Sequence, residues 1–192
     1  MNKQSHITAI TRQNIVDAFW SLYKSTSLEQ ITIKEIMRKA GYNRGTFYEY
    51  FDNVQAVLTY LEDGLIEYMK AWISSDPYFF DSTEETISKI TEMYRSKGEY
   101  LGVLFGENGN PHFCTRYKAA LKPLLSPALM STSEPDFRQD LALEFSLSGI
   151  LAVLARWYPM REQYSYEQLA RLMRVLVNYE SLRDFSNEYH SL

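Results

Sequence analysis

The chain is poor in the residues from which most catalytic and metal centres are built. In 192 residues it has one cysteine, Cys114, and three histidines, His6, His112 and His190. A single cysteine excludes an intramolecular disulfide framework and a multi-cysteine zinc site, and it fits a reducing cytoplasm. None of the histidines has a partner at metal-ligand spacing, so neither a metal nor another cofactor is expected. His112 and Cys114 lie beside Glu107, but residues two apart on a helix do not face each other, which argues against a Cys–His nucleophile and against an enzyme. The chain also lacks sustained apolar–polar alternation, so essentially no sheet is expected. No internal repeat or low-complexity tract is visible. The longest strongly apolar stretch, residues 145–155, contains Ser146, Ser148 and Gly149 and is too short to span a bilayer. Met1-Asn2-Lys3-Gln4 does not read as a signal peptide, so no membrane partner is expected. Nor is there an overall basic excess: the formal net charge is −4.

What the chain does have is apolar bulk. With 45% hydrophobic and 15% aromatic residues it can bury a sizeable core in one or two compact units. Its charge is uneven. Residues 1–52 carry seven Lys/Arg against five Asp/Glu, and the remainder thirteen against nineteen. The modest basic excess therefore sits at the N-terminal end, where a nucleic-acid partner would be met.

That end also carries the most specific pattern. Residues 31–61 read ITIKEIMRKAGYNRGTFYEYFDNVQAVLTYL. Thr32 and Glu35 form a capping box, with Ile31 and Ile36 as a hydrophobic staple. Ile33, Ile36, Met37 and Ala40 repeat at helical spacing. Gly41 favours the left-handed conformation that ends a helix, and Asn43 can cap the next one, stapled by Tyr42 and Phe47. Two short helices joined by a tight turn form a helix-turn-helix. On the second, residues 44–50, Arg44 can make a bidentate contact to a guanine edge and Thr46 can touch a thymine methyl or a phosphate. Tyr48 and Tyr50 can donate to phosphates, and Gly45 lets the backbone approach the groove closely. Lys34 can reach the flanking phosphates.

The segment T-I-x-x-I-x-x-x-A-G-Y-N-R-G-T-F-Y-x-Y-F resembles the DNA-binding motif of tetracycline-repressor-like (TetR family) regulators. The likeness is strong over about residues 8–70 and architectural beyond them. It implies double-stranded operator DNA as partner, with contacts from Thr32, Lys34, Tyr42, Asn43, Arg44, Gly45, Thr46, Tyr48 and Tyr50. One position departs from it. The family usually has a phosphate-binding lysine after the Tyr-Phe pair, and this chain has Val54 there, so that contact is missing.

The rest reads as helix. A first helix carries Ile15, Ala18, Phe19 and Leu22 and ends near Ser25. Asp52 or Asn53 caps a longer one with Val57, Leu58, Leu61, Leu65, Met69 and Trp72 inward, broken at Asp76-Pro77. Asp81-Ser82-Thr83 opens the next, closed near Gly98 and followed by a short aromatic segment at residues 100–105. Residues 106–111 are a loop. A helix over 112–122 is interrupted or ended by Pro123 and Pro127. Final helices are expected over 135–158 and from Tyr166, where Ser165 and Gln168 form another capping box, to about Phe185.

The expected fold is all-α with about nine helices: a three-helix DNA-binding head at 1–52 and a helical effector-binding and dimerisation body at 53–192. In the last two helices Ser148, Gly149, Ala152 and Ala155 form a small-residue strip, and Leu169, Leu172, Met173, Leu176 and Tyr179 recur at helical spacing. An intramolecular core is one account of them. The resemblance implies another, a four-helix dimer bundle, and a homodimer would set two heads in successive major grooves. Aromatic residues Tyr94, Tyr100, Phe105, Phe113, Tyr117 and Trp157 could form core, or line a cavity for the small-molecule effector that the resemblance implies. The functional expectation is a cytoplasmic transcriptional repressor on a palindromic operator. A helical interaction module that keeps the motif without DNA binding is the alternative.

Overall fold

A computed structural model describes residues 3–75, 84–107, 109–129 and 137–176. Among them there are eight α-helices, two short 3-10 turns and no strand. The chain packs as two compact units, Met1–Gly64 and Leu65–Leu192, the division falling inside one long helix.

The first unit holds α1 (Lys3–Tyr23), α2 (Ile33–Ala40), α3 (Arg44–Tyr48) and the start of α4 (Val54–Ser74). α1 packs against α2, and α2 against α3. Their shared core is Ile15, Phe19, Tyr23, Ile36, Met37, Phe47, Val57 and Leu58, all at 2% exposure or less. Ile31 is also buried, as the staple requires. Glu62 is wholly buried in this apolar setting. Burial pushes the Tyr23 phenol up to about 12, and the charges of Glu62 and Glu29 add to the shift.

The second unit holds α5 (Glu84–Leu104), α6 (Pro111–Leu129), α7 (Phe137–Trp157) and α8 (Tyr166–Leu176). α5 is central, packing against both α7 and α8, and α6 packs on α7. Two expectations fail here. α5 does not close near Gly98; it runs unbroken through the aromatic segment to Leu104. Gly98 and Gly102 are buried one turn apart, and a Cβ built on them would meet Tyr166 at 3.0 Å and Tyr158 at 2.1 Å. They are seats for tyrosine rings. Nor is α6 broken at Pro123 or Pro127, since it continues to Leu129. A helix-interior proline costs about 3 kcal/mol, and tertiary burial offsets it. Leu121 and Leu125, on either side of Pro123, are both buried.

α6 is also held to α7 by charge. Lys118 pairs with Glu144 and donates to Ser148 Oγ at 3.0 Å. Lys122 reaches Asp140 at 2.7 Å and Glu144 at 2.9 Å. Hydrogen bonds from Lys118 and then Lys122 hold the Glu144 carboxyl down at about 2.

The apolar stretch expected to be too short for a bilayer forms part of a longer helical segment. Asp140–Met160 is 21 residues with mean hydropathy 1.3, long and apolar enough to cross a membrane by length and composition alone. That composition arises because α7 is apolar on two sides. Leu143, Leu147, Leu151 and Leu154 are buried within the unit, whereas Leu141 and Phe145 are exposed. The helix openings expected at 81–83 and 135, the Asp76-Pro77 break and the continuation of α8 beyond 176 lie outside the described residues.

Candidate functional site

The turn between α2 and α3 is built from three local devices. Thr32 Oγ1 accepts from the Glu35 backbone N–H at 3.2 Å, and the Glu35 carboxylate accepts from the Thr32 N–H at 3.1 Å. Hydrogen bonds from the Thr32 hydroxyl and backbone lower the Glu35 pKa. Gly41 ends α2 at φ 79°, ψ 24°, the described chain's only positive φ. Asn43 Oδ1 then accepts from the Thr46 N–H at 3.0 Å and starts α3. α3 is shorter than expected, ending at Tyr48, so Tyr50 follows it.

The nine residues proposed for DNA contact fall into distinct settings. Lys34, Arg44, Gly45 and Tyr48 are exposed on α2 and α3. Arg44 Nη2 donates to the Tyr48 hydroxyl at 3.0 Å, and the guanidinium carbon lies 5.8 Å from that ring's centroid. The two side chains therefore form one unit. Thr46 shares the cap, its hydroxyl 3.3 Å from Asn43 Oδ1. Thr32 is committed to the capping box, its hydroxyl 2.7 Å from Glu35 Oε2. Tyr42 is half-buried and tied to α1 by Asn14 Nδ2 at 2.9 Å. Tyr50 lies under the Arg12 guanidinium at 5.7 Å, which also stands 5.9 Å from the Tyr60 ring. At Gly45 a Cβ would meet only Asn43 Oδ1, at 3.1 Å. Apart from that capping oxygen, the space outside Gly45 is open. Asn53 caps α4 through Ala56 N–H at 2.9 Å, and Val54 is that helix's first residue.

Asn14 and Arg12 are the residues that sequence reasoning missed. Both sit on α1, far from the motif in sequence, and no local pattern marks them.

In the body, three of the aromatic candidates form one cluster. Phe105 and Phe113 stack at 5.1 Å, and Tyr117 meets Phe105 edge-on at 4.9 Å. Burial drives the Tyr117 phenol far above its ordinary range, with Tyr94 adding to the shift. Tyr94 is buried as well, whereas Tyr100 is half-buried with the Lys97 ammonium 5.7 Å from its ring. Trp157 donates to the Tyr164 carbonyl at 3.0 Å and packs on Tyr166 at 4.9 Å. A cavity of about 280 Å³ opens between the end of α5, the start of α6 and α7. Among the six aromatic candidates, Phe105 lines it, beside Leu104, Pro111, Cys114 and Leu151. Ser148 and Ala152 also reach this cavity.

The dimer candidates divide similarly. Leu169 and Met173 are buried within the unit, while Leu172 and Leu176 are exposed. Gly149 and Ala152 are exposed and Ala155 is half-buried. Ser148 is half-buried against Lys118 and Glu144. Tyr179 lies outside the described residues. Around the small strip α7 exposes Phe137, Leu141 and Phe145, each one turn from the next, and α8 adds Val175. Metal-binding groups of His, Cys, Asp and Glu are absent among the described residues.

The chain thus carries a capped helix-turn-helix in its first unit and, among the described residues, only helices and a 3-10 turn as regular structure in its second. Residues 15–61 match the family of bacterial regulatory proteins named tetR, and residues 81–179 match a transcriptional regulator C-terminal region. The chain belongs to the tetR family. No curated protein matches it. Several solved structures share its fold. The match to a TetR transcriptional regulator from Streptococcus agalactiae 2603V covers 91% of this chain and 97% of the other, at 22% identity and TM-score 0.62. With the fatty acid degradation regulator FadR from Bacillus halodurans the shares are 90% and 94%, at 18% identity and TM-score 0.63. With the dihydroxyacetone kinase operon activator DhaS they are 88% and 94%, at 19% identity and TM-score 0.57.

Proposed function

We propose that the chain is a cytoplasmic, non-enzymatic repressor that binds a palindromic double-stranded operator as a homodimer. The observation that carries this reading is the outer side of α3. Arg44 and Tyr48 stand exposed there, with Gly45 between them in sequence, on a helix whose start is held by Asn43. Arg44 reads a guanine edge, and Lys34, Tyr42 and Tyr48 hold phosphates. Residues 1–52 serve as the DNA-binding head, and residues 53–192 as the dimerisation and effector body.

The exposed apolar residues of α7, Phe137, Leu141 and Phe145 one turn apart, support a dimer, because exposed apolar patches mark interaction surfaces, and Leu172, Val175 and Leu176 of α8 add to them. One short α3 reads only a few base pairs, and two-fold pairing sets the heads about 34–36 Å apart. The cavity beside Phe105 is apolar enough for a small organic effector, which would act by binding better to a dimer whose heads are wrongly spaced.

Selection of duplexes from a random-sequence pool by the purified protein tests the reading. Enrichment of a palindrome supports it, and a pool that stays random overturns it. A promoter carrying the enriched palindrome, fused to a reporter, should lose expression when the protein is supplied. Raised expression would replace repression by activation.

A further inference from the structure

Two phenols at the candidate interface share an unusual arrangement. The Tyr42 oxygen accepts from Asn14 Nδ2 at 2.9 Å, and the Tyr48 oxygen accepts from Arg44 Nη2 at 3.0 Å. A phenol has one proton to donate and an oxygen that also accepts. Neither a side-chain amide NH2 nor a guanidinium nitrogen can take that proton. Each hydroxyl is therefore supplied from within the head, and its own proton must point elsewhere. Tyr48 is 50% exposed, and the partner of Tyr42, Asn14, is exposed on α1. Water can accept these protons in the free protein. In a complex the acceptors in plenty are phosphate oxygens.

We propose that Asn14 is a positioning residue of the DNA interface, which donates to the Tyr42 phenol and so turns that phenol's proton outward to a phosphate oxygen. Arg44 does the same for Tyr48, but it has four further N–H groups for a base edge. Asn14 keeps one further N–H and its carbonyl oxygen, but its effect on DNA passes through Tyr42 rather than through these. The bond also ties α1 to the turn across 28 residues of sequence, which holds the phenol oxygen in one place. This inference rests on the DNA-binding reading above.

The test uses the full chain and a duplex that the wild-type protein enriches from a random pool. Tyr42→Phe should weaken binding about tenfold, the loss of one hydrogen bond to a charged group. Asn14→Ala should weaken it by a smaller factor. The double variant should bind no worse than Tyr42→Phe alone. Asn14→Asp should bind worse than Asn14→Ala, because a carboxylate accepts the phenol proton inward and adds negative charge near the phosphates. Single methylphosphonate substitutions along the duplex supply a readout that a purely structural tie would not move. Wild type should lose affinity on substitution of one phosphate in each half-site; Asn14→Ala should lose less there than wild type, and Tyr42→Phe should lose least. Multiplying effects in the double variant, or an unchanged phosphate profile in Asn14→Ala, would overturn the positioning role while leaving DNA binding intact. Failure of the wild type to enrich any duplex would overturn the DNA-binding reading itself, and this role with it.

Discussion

Replacing Gly102 by alanine should destabilise the body, although alanine is the better helix former. A Cβ at position 102 would lie 2.1 Å from Tyr158 Cγ, 2.3 Å from its Cβ and 2.7 Å from its Cδ1. Carbon atoms in good contact stand about 3.5–4.0 Å apart. Rotating the Tyr158 side chain moves Cγ and Cδ1 but leaves its Cβ where the backbone puts it. That backbone belongs to the 3-10 turn Tyr158–Met160, stiffened by Pro159, so α5 and the turn must separate. Overpacking costs about 1–3 kcal/mol, and a clash that no rotamer relieves belongs near the top of that range. The helix-propensity gain from Gly to Ala offsets about 1 kcal/mol. The net loss is about 1–2 kcal/mol, or about 2–8 °C in Tm for a chain of this size. The matched control is Gly64→Ala in α4, where nothing lies within 4 Å of the added carbon. That variant should gain about 0.5–1 kcal/mol. Far-UV circular dichroism in heat and in urea reads both. A Gly102→Ala protein melting at or above wild type would refute the seating of Tyr158 on α5.

Four other outcomes are expected. Arg44→Ala should weaken binding to an enriched duplex by about 1–3 kcal/mol and relax preference at one base pair per half-site, read by titration on duplex variants. Lys34→Ala should weaken binding to all duplexes and reduce the slope of log K against log salt by about 1, because one phosphate contact releases its counterion; equal slopes would contradict the contact. Phe145→Glu, at a position 79% exposed within one protomer, should shift the protein towards monomer in sedimentation without lowering its helicity. The Glu144 carboxyl sits below its ordinary 4.5, at about 2, so its contribution to stability is present above pH 4.5 and is lost as pH falls through about 2. Its side chain is 41% exposed and therefore screened, so the contribution is small. Glu144→Gln should flatten the fall of the urea midpoint over that window, and an unchanged pH profile would remove the α6–α7 clamp.

What could be read from the sequence was local. The Thr32–Glu35 capping box, the Gly41 stop and the Asn43 cap each depend on residues one turn apart, and all three form as expected. The Ser165–Gln168 box forms as well. What could not be read was set by distant neighbours. Gly98 looks like a helix end until Tyr166 and Tyr158 arrive from elsewhere in the chain to use the space on α5. Pro123 looks like a break until the burial of Leu121 and Leu125 outweighs its local cost. Asn14 carries no pattern at all, because its partner is fixed by how α1 crosses the turn. The buried Glu62 falls at helical spacing between Leu58 and Leu65, so its position lies on the inward stripe, and only its charge argues against burial. The same limit explains why aromatic spacing alone did not separate the Phe105–Phe113–Tyr117 cluster from Trp157, which finds its partners at Tyr164 and Tyr166.

Two copies of this head should read one palindrome. Hydroxyl-radical footprinting of the wild-type protein on a duplex it has enriched, paired with sedimentation of the complex, tests it most directly. Two protected half-sites with centres about 10–10.5 base pairs apart, or a multiple of that, and two protomers per duplex are expected. A single protected half-site bound by one protomer, or protection that does not depend on sequence, would contradict this.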